Sequence, residues 1–455
     1  MVGQPTRRLF GTDGVRGRAN EFPMTPEMAL RIGRAAVRVA GPPPGRRPRI
    51  VLGRDTRLSG DMLTAALTAG VCSMGGDSLL VGPLPTSAVA YLTTHLEADA
   101  GIMVSASHNP FPDNGLKIFS SDGFKLPDEA EDRLAELVFS ETPDRVRPTG
   151  GDLGRVQTVK DAAEKYVAFL KSAYPRDLNL AGIRLVVDCA HGAAFGCAPD
   201  LFEALGAKVF LLGASPDGEN INRNSGSECP EKAAATVLEK SADLGLALDG
   251  DADRAIFVDG QGRILDGDHI MAVCARDLDL RGRLAKRTVV ATVMSNLGLE
   301  KALAGLGIRL VRTQVGDRYV VETMRSGGYN FGGEQSGHLI FLDHGTTGDG
   351  LLSALQVLAV MRRDGKSLAE LAEMMDTFPQ VLVNVRVGRR ADLNEIPSLA
   401  RQFDRVGKRL GDEGRLLVRY SGTEPLVRVM IEGRNQDEIQ TLAEETASLI
   451  GKELS

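Results

Sequence analysis

Apolar and polar positions fall into blocks along this chain, and one block order recurs three times. A short apolar run is followed by a polar turn, a helix-period segment ending near glycine, and a second apolar run. The copies are 49–52 with 77–81, 184–187 with 208–212, and 288–292 with 309–311. Each reads as strand, crossover helix and parallel strand, which predicts three related α/β domains. Gly75-Gly76, Gly206 and Gly307 close the predicted helices, at the position where the chain leaves a helix through left-handed backbone. After Arg362 the pattern changes to helical, strand, helical and paired-strand segments. There 415–420 and 426–432 flank Ser421-Gly422-Thr423-Glu424-Pro425 as a hairpin before a last helix. Turn residues and charge crowd together in 141–154, which carries Pro143, Pro148 and paired glycines and marks a first boundary. The expected fold class is α/β: three related mixed α/β domains with sheets sandwiched by helices, plus a smaller C-terminal α+β domain. The expected division is 1–154, 155–258, 259–366 and 367–455.

Composition narrows what such a chain can do. With 455 residues, 43% of them hydrophobic, it can bury several cores. A net charge of −6, with the 54 lysines and arginines scattered, argues against nucleic acid as a partner, so an anionic ligand must be met locally. The five cysteines, Cys72, Cys189, Cys197, Cys229 and Cys274, are odd in number and contain no CxxC pair, so neither a disulfide framework nor a zinc ribbon is indicated, and a reducing cytoplasm fits. Residues 1–10 hold two arginines but no apolar stretch after them. No run approaches the ~18 apolar residues of a membrane span, so no membrane partner is expected.

Four loops carry the candidate chemistry. Ser105-Ala106-Ser107-His108-Asn109-Pro110 follows the apolar run 100–104, which sets a hydroxyl on a surface loop at the carboxyl end of a strand, where open α/β sheets bind ligands. Ser107 is the candidate nucleophile. Asp249-Gly250-Asp251-Ala252-Asp253-Arg254 ends the run 244–248, and its three alternate carboxylates offer hard oxygen ligands to one divalent cation; Mg²⁺ suits a site that also holds phosphate. An EF-hand is excluded by Arg254 and Gly260, where that loop needs Gly and Glu. Gly332-Gly333-Glu334-Gln335-Ser336-Gly337-His338 allows close backbone approach, with Glu334 and Ser336 suited to sugar hydroxyls. The segment 419–425 with Arg428 joins two arginines, Arg419 and Arg428, to the turn hydroxyls and N–H groups of Ser421, Gly422 and Thr423, a composition that can cradle phosphate.

Other nucleotide and hydrolase readings lack their motifs. There is no GxSxG and no GxGxxG, and Val360 stands where a P-loop ending in Gly365-Lys366-Ser367 needs its first glycine. An aspartyl-phosphate mechanism at Asp249 and Asp251 is weakened by Asp253, which stands where that loop wants Thr or Val.

Taken together, S-A-S-H-N-P, D-G-D-x-D-R, G-E-x-S-G-H and R-x-S-G-T-E-P resemble the α-D-phosphohexomutase family over essentially the whole chain, in motif order and spacing. Phe10-Gly11-Thr12-Asp13-Gly14-Val15-Arg16-Gly17, the run F-P-D-N-G-L-K at 111–117, Asn220-Ile221-Asn222 and Val315-Gly316-Asp317-Arg318-Tyr319-Val320 resemble its branch that acts on glucosamine phosphates. The resemblance implies a phosphoserine at Ser107, which also contributes to the metal site with Asp249, Asp251 and Asp253. It implies reversible conversion of glucosamine 6-phosphate to glucosamine 1-phosphate through a 1,6-bisphosphate, feeding UDP-N-acetylglucosamine synthesis, with glucose or mannose phosphates as the alternative substrates. Glucosamine 1,6-bisphosphate or glucose 1,6-bisphosphate is implied as activator, sugar phosphates as partners, and a homodimer. By the same resemblance Arg16, Lys117 and His338 lie near the transferring group, with Lys117 or His338 as proton carrier, and Arg254 and His108 support the phosphoserine. Arg419, Ser421, Gly422, Thr423 and Arg428 are implied to hold the non-reacting phosphate on a C-terminal lid. One departure is Ala252, where the family usually has glycine; its methyl group is tolerable provided the backbone there avoids positive φ.

Overall fold

The computed structural model describes residues 9–11, 13–41, 45–140, 147–421 and 425–455. The predicted positions Gly422 and Thr423, with Thr12 and Glu424 of the quoted motifs, lie outside the described residues. The chain forms two compact units: Met1–Met294 with Ile308–Glu373, and Ser295–Gly307 with Met374–Ser455.

In the first unit three sheets repeat one path. The first contains β1 (Val15–Arg18), β2 (Arg49–Arg54), β3 (Asp77–Pro83), β4 (Ala100–Val104), β5 (Asp113–Ser120) and β6 (Val156–Thr158), in the order β1-β5-β4-β2-β3-β6. The second contains β7 (Arg184–Asp188), β8 (Lys208–Leu212), β9 (Leu244–Leu248), β10 (Ala255–Asp259) and β11 (Ile264–Leu265), ordered β11-β10-β9-β7-β8. The third contains β12 (Thr288–Thr292), β13 (Arg309–Thr313), β14 (Phe331–Gly333) and β15 (Leu339–Phe341), ordered β13-β12-β14-β15. In every sheet the first strand of the repeat pairs parallel with the next two, and the third turns back into an antiparallel fourth. The three pairs of apolar runs read from the sequence are the parallel pairs β2–β3, β7–β8 and β12–β13. Strands β4, β9 and β12 are buried at every residue, which is why they read as unbroken apolar runs without alternation.

This path fixes where function can sit. The connection from third to fourth strand carries the Ser107 loop in the first sheet, the three-aspartate loop in the second and the Glu334 to His338 loop in the third. The predicted helix stops hold as well: Gly75, Gly206 and Gly307 have φ of +82°, +97° and +70°, each two residues beyond the end of its helix. Left-handed backbone there costs glycine nothing and another residue roughly 1–2 kcal/mol.

Two details differ from the expected division. The second sheet runs past 258, because Leu265 of β11 pairs with Phe257 of β10. The first unit extends past 366, because the helix Leu368–Ala372 buries Leu368, Ala369, Leu371 and Ala372, and Arg263 donates to the Ala369 carbonyl at 3.0 Å.

The second unit has a three-stranded antiparallel sheet of β16 (Gln380–Arg386), β17 (Gly414–Tyr420) and β18 (Leu426–Gly433), in the order β16-β18-β17. Val427, Val429 and Ile431 of β18 point to one face by the period of two. They join Leu399, Val406 and Leu410 of the helix Pro397–Leu410 and Ile439, Ala443 and Ile450 of the helix Gln436–Leu454 in one core. The third crossover helix, Leu297–Gly305, belongs to this unit. Asn296 caps it and fastens it, donating Nδ2 to the Phe378 carbonyl at 3.0 Å while its Oδ1 accepts the Phe378 N–H at 2.9 Å.

The first domain is stapled by two helices in close contact, Pro26–Ala40 and Ser59–Ser73. Thr25 caps the first, accepting the Met28 N–H, and Pro26 at its start has no N–H to leave unpaired. Gly33 and Gly70 let the backbones meet: a Cβ on Gly70 would stand 2.2 Å from the Leu30 carbonyl oxygen, and one on Gly33 2.5 Å from that of Leu67. Gly70→Ala must therefore push the helices apart. The expected loss is about 1–3 kcal/mol of stability, read in chemical denaturation of the purified variant, and an unchanged transition would disprove the close crossing.

Candidate active site

Three loops of the first unit meet at one buried cluster. Ser107 follows β4 by three residues and has φ +54°, a left-handed backbone conformation. Its N–H donates to Ser105 Oγ at 3.0 Å, and Ser105 Oγ donates to Asp55 Oδ2 at 2.6 Å. The Ser107 hydroxyl donates to Asp249 Oδ2 at 2.5 Å. Ser107 is only 1% exposed, so the hydroxyl expected on a surface loop is instead closed in by the second domain.

The three aspartates crowd within reach of one ion. One carboxylate oxygen from each of Asp249, Asp251 and Asp253 lies within 4.8 Å of the others, and all three residues are buried. Burial first, then Asp253 and Asp251, push the Asp249 carboxyl well above its ordinary range. Asp251 Oδ1 has no hydrogen-bond partner among the described residues, and Asp253 Oδ1 has only His338 Nδ1 at 3.5 Å, too far for a good hydrogen bond. Lys117, projecting from β5, donates to Asp251 Oδ2 at 2.8 Å and Asp253 Oδ2 at 2.7 Å. Burial disfavours the charge on this lysine, yet Asp13, Asp251 and Asp253 hold its pKa well above the ordinary lysine value. Asp253 is held low in turn: burial would raise it, and Lys117 and His338 prevail. Thr86, absent from the sequence motifs, donates its hydroxyl to Asp251 Oδ2 and its N–H to the Asp251 carbonyl.

The remaining predicted residues surround this core. Arg254 donates to His108 Nδ1 at 3.0 Å, and the same nitrogen lies 3.4 Å from Ser107 Oγ. Because guanidinium only donates, that nitrogen is an acceptor, and burial followed by Arg254 lowers the His108 pKa, which keeps the ring neutral. Arg16 reaches the Ala106 carbonyl at 3.3 Å and Asn109 Oδ1 at 3.4 Å, and pairs with Asp13. His338 Nε2 accepts the Gly348 N–H at 3.0 Å, which in the neutral ring places the proton on Nδ1, facing Asp253. Burial would lower its pKa, but Asp253, Asp317 and Glu334 push it up to about 8. Glu334 accepts the Gly316 N–H at 3.2 Å, and Ser336 Oγ, buried, has no partner among the described residues. Lys125 ties the first and third domains by pairing with Asp13 and with Asp317 Oδ2 at 2.6 Å, while Asp317 lies 3.4 Å from His338 Nε2. The sequence offered Asp13 and Asp317 only as parts of longer motifs, and Lys125 carried no signal.

The condition placed on Ala252 is not met: its φ is +54° and its methyl group is fully buried. The loop nonetheless keeps its bonds, Ala252 N–H to the Asp249 carbonyl and Gly350 N–H to the Ala252 carbonyl, both 2.9 Å.

In the second unit Arg419 of β17 stands directly opposite Arg428 of β18, and Ser421 follows, 3% exposed, its carbonyl accepting from Arg390 at 2.9 Å. Burial and then Arg428 draw the Arg419 pKa down.

The chain matches all four domains of one family: phosphoglucomutase/phosphomannomutase α/β/α domain I over residues 7–145, domain II over 164–262, domain III over 266–378 and the C-terminal domain over 382–449. It belongs to the phosphoglucomutase/phosphomannomutase family. Among curated relatives it is 56% identical to the phosphoglucosamine mutase of Geobacter sp. (strain M21) over 448 residues, 98% of each chain. It is 57% identical to the phosphoglucosamine mutase of Anaeromyxobacter sp. (strain Fw109-5) over 452 residues, 98% of this chain and 96% of the relative. Solved structures share the fold at lower identity. A phosphoglucomutase/phosphomannomutase family protein from Burkholderia thailandensis has a TM-score of 0.79 at 23% identity, covering 99% of both chains. A phosphomannomutase-like protein from Thermus thermophilus has a TM-score of 0.77 at 24% identity, covering 97% of this chain and 98% of that one.

The acid cluster makes a direct prediction about cations. Asp251→Asn removes one of three charges and leaves its neighbours in place, so Mg²⁺ affinity measured by calorimetry should fall roughly tenfold or more, with partial recovery of bound metal at high Mg²⁺. Equal affinity in both proteins would remove Asp251 from the ligand set.

Proposed function

We propose that the chain interconverts glucosamine 6-phosphate and glucosamine 1-phosphate through a phosphoserine at Ser107 and a 1,6-bisphosphate intermediate, started by glucosamine or glucose 1,6-bisphosphate. The observation that carries this reading is the Ser107 hydroxyl donating into a buried three-aspartate cluster bridged by Lys117. The name shared by curated relatives at about 56% identity over nearly the whole chain favours the amino sugar.

In the first half-reaction the bond between phosphorus and Ser107 Oγ breaks as one forms to a sugar hydroxyl oxygen, whose proton passes to the protein; in the second the bond from the other phosphate to its sugar oxygen breaks as one forms to Ser107 Oγ, and a proton returns to that sugar oxygen. Phosphoserine brings roughly −1.5 to −2 charges to a place already rich in carboxylates. Asp249, Asp251 and Asp253, with an oxygen on Ser107, would hold Mg²⁺; the unpartnered Asp251 oxygen and the raised Asp249 fit a hard cation. When bound, Mg²⁺ neutralises and polarises the phosphoryl oxygens. Lys117 and His338, both buried beside these acids, are the proposed proton carriers. Arg16, His108 and Arg254 orient the phosphoserine loop, and Glu334 and Ser336 receive the sugar hydroxyls. Arg419, Ser421 and Arg428, with Gly422 and Thr423, bind the phosphate that is not reacting, since a dianion relieves the repulsion between paired guanidiniums. Free thiols at all five cysteines suit a reducing compartment such as the cytoplasm.

The test is turnover of glucosamine, glucose and mannose 6-phosphates side by side by purified protein with Mg²⁺, with Ser107→Ala as control. The amino sugar should turn over fastest, and Ser107→Ala should lose several orders of magnitude in rate while remaining folded. Preference for glucose or mannose phosphate would favour the second reading, a phosphoglucomutase/phosphomannomutase, and near-normal turnover in the variant would end the covalent mechanism.

Arg419→Ala separates remote binding from chemistry. Losing a charged hydrogen bond worth about 1.5–3 kcal/mol should weaken sugar-phosphate affinity roughly 10–100-fold. Phosphorylation of Ser107 by a small phosphoryl donor, followed by intact mass, should fall far less. Unchanged affinity would leave the C-terminal hairpin outside the binding surface.

A further inference from the structure

The backbone carbonyls around Ser107 are gripped by two side chains that lie outside the four reactive loops. Arg57 is 1% exposed and uses every arm of its guanidinium. Its Nε donates to Asp55 Oδ2 at 2.8 Å, one terminal nitrogen donates to the carbonyls of Pro110 at 2.6 Å and Asp113 at 3.1 Å, and the other donates to those of Ser107 and Asn109, both at 2.8 Å. From the second domain, Asn222 Nδ2 donates to the same two carbonyls, Ser107 at 2.9 Å and Asn109 at 3.0 Å. Two acceptors facing one amide group fix which end of Asn222 is the nitrogen. Asn222 itself has φ +59°, a conformation asparagine adopts more readily than most residues.

Asp55 links this grip to the Ser107 N–H. It accepts from Arg57 Nε and the Arg57 N–H and takes the Ser105 hydroxyl, whose oxygen accepts from Ser107. Ser107 is therefore held at its N–H by the first domain and at its carbonyl by both domains, in left-handed backbone that serine does not favour. Its hydroxyl points at Asp249 only while that backbone is kept.

We infer that Arg57 and Asn222 are positioning residues for phosphoryl transfer: a clamp spanning two domains that fixes the Ser107 backbone, and so aims its Oγ at the acid cluster, without touching the sugar. The inference rests on the reading of Ser107 as the phosphorylated residue. Because Asn222 comes from the metal-loop domain, the clamp also registers the serine loop against the aspartates with which it must share a phosphate.

The test variant is Asn222→Asp, which keeps a side chain of the same shape that tolerates left-handed backbone but turns an oxygen toward two carbonyl oxygens. Arg57→Lys is the companion, retaining the charge beside Asp55 while losing the fork. Full-length dephosphorylated protein with Mg²⁺ is mixed with glucose 1,6-bisphosphate, and Ser107 phosphorylation is followed by intact mass against time. In that step the sugar–oxygen to phosphorus bond breaks, the bond to Oγ forms, and the seryl proton ends on the sugar monophosphate released. Asn222→Asp should slow the transfer roughly 10–100-fold, because a displacement of about 1 Å at a reacting atom has that effect. The final extent of phosphorylation and the affinity for the bisphosphate should stay within about threefold. A merely structural role predicts the opposite, a smaller phosphorylatable fraction reacting at the normal rate, and that result, or an unchanged rate, overturns the clamp. Wild-type protein that takes no phosphoryl group at Ser107 overturns the reading of the site itself, a failure visible before any variant is made.

Discussion

Everything at this site answers to the cost of burying carboxylates. Asp13, Asp249, Asp251, Asp253, Asp317 and Glu334 converge in a region largely closed to water, where an uncompensated charge is costly and neighbouring like charges repel. The permanent cations among them are Lys117, Lys125, Arg16 and Arg254, with His338 contributing part of a charge. Acids therefore outnumber fixed cations, and a phosphoryl group on Ser107 widens the gap. That excess of negative charge is one a metal ion could balance.

The same electrostatics joins the domains of the first unit. Lys117 stands on the first sheet and its closest partners on the second; Lys125 reaches from the first domain to Asp317 of the third; His338 of the third faces Asp253 of the second. The second domain does not by itself neutralise its three aspartates. The cluster is complete only with all three domains in place. The repeated strand path makes this convergence available: each copy offers its connection from third to fourth strand, and these loops carry a hydroxyl, three carboxylates, and a glycine-rich turn ending in histidine.

How much of this was legible depends on whether the signal is local. Strands β4, β9 and β12 announce themselves because burial on both faces demands unbroken apolar runs, and Gly75, Gly206 and Gly307 because left-handed backbone demands glycine. The site loops were visible because their reactive residues are neighbours in sequence. What stayed hidden is what only three dimensions create. The segment Ser295–Gly307 reads as the crossover of the third repeat, yet Asn296 binds it to Phe378 of the second unit. Arg57, Thr86 and Lys125 sit in unremarkable sequence and gain meaning from distant partners: the Ser107 carbonyl 50 positions away, Asp251 165 away and Asp317 192 away.

Backbone strain shows the same division between motif and support. Ser107 and Ala252 both occupy left-handed backbone at φ +54°, one at the proposed nucleophile and one between two aspartates of the acid cluster. Neither residue type favours that region, so each persists only where hydrogen bonds on both sides outweigh the strain. Ser107 has Ser105, Arg57 and Asn222; Ala252 has the Asp249 carbonyl on one side and the Gly350 N–H on the other. The short reactive loops thus specify the chemistry, while the geometry that makes the chemistry possible is held largely by residues outside them. A chain carrying the four loops on a scaffold without those supports would keep the reactive groups and lose their aim.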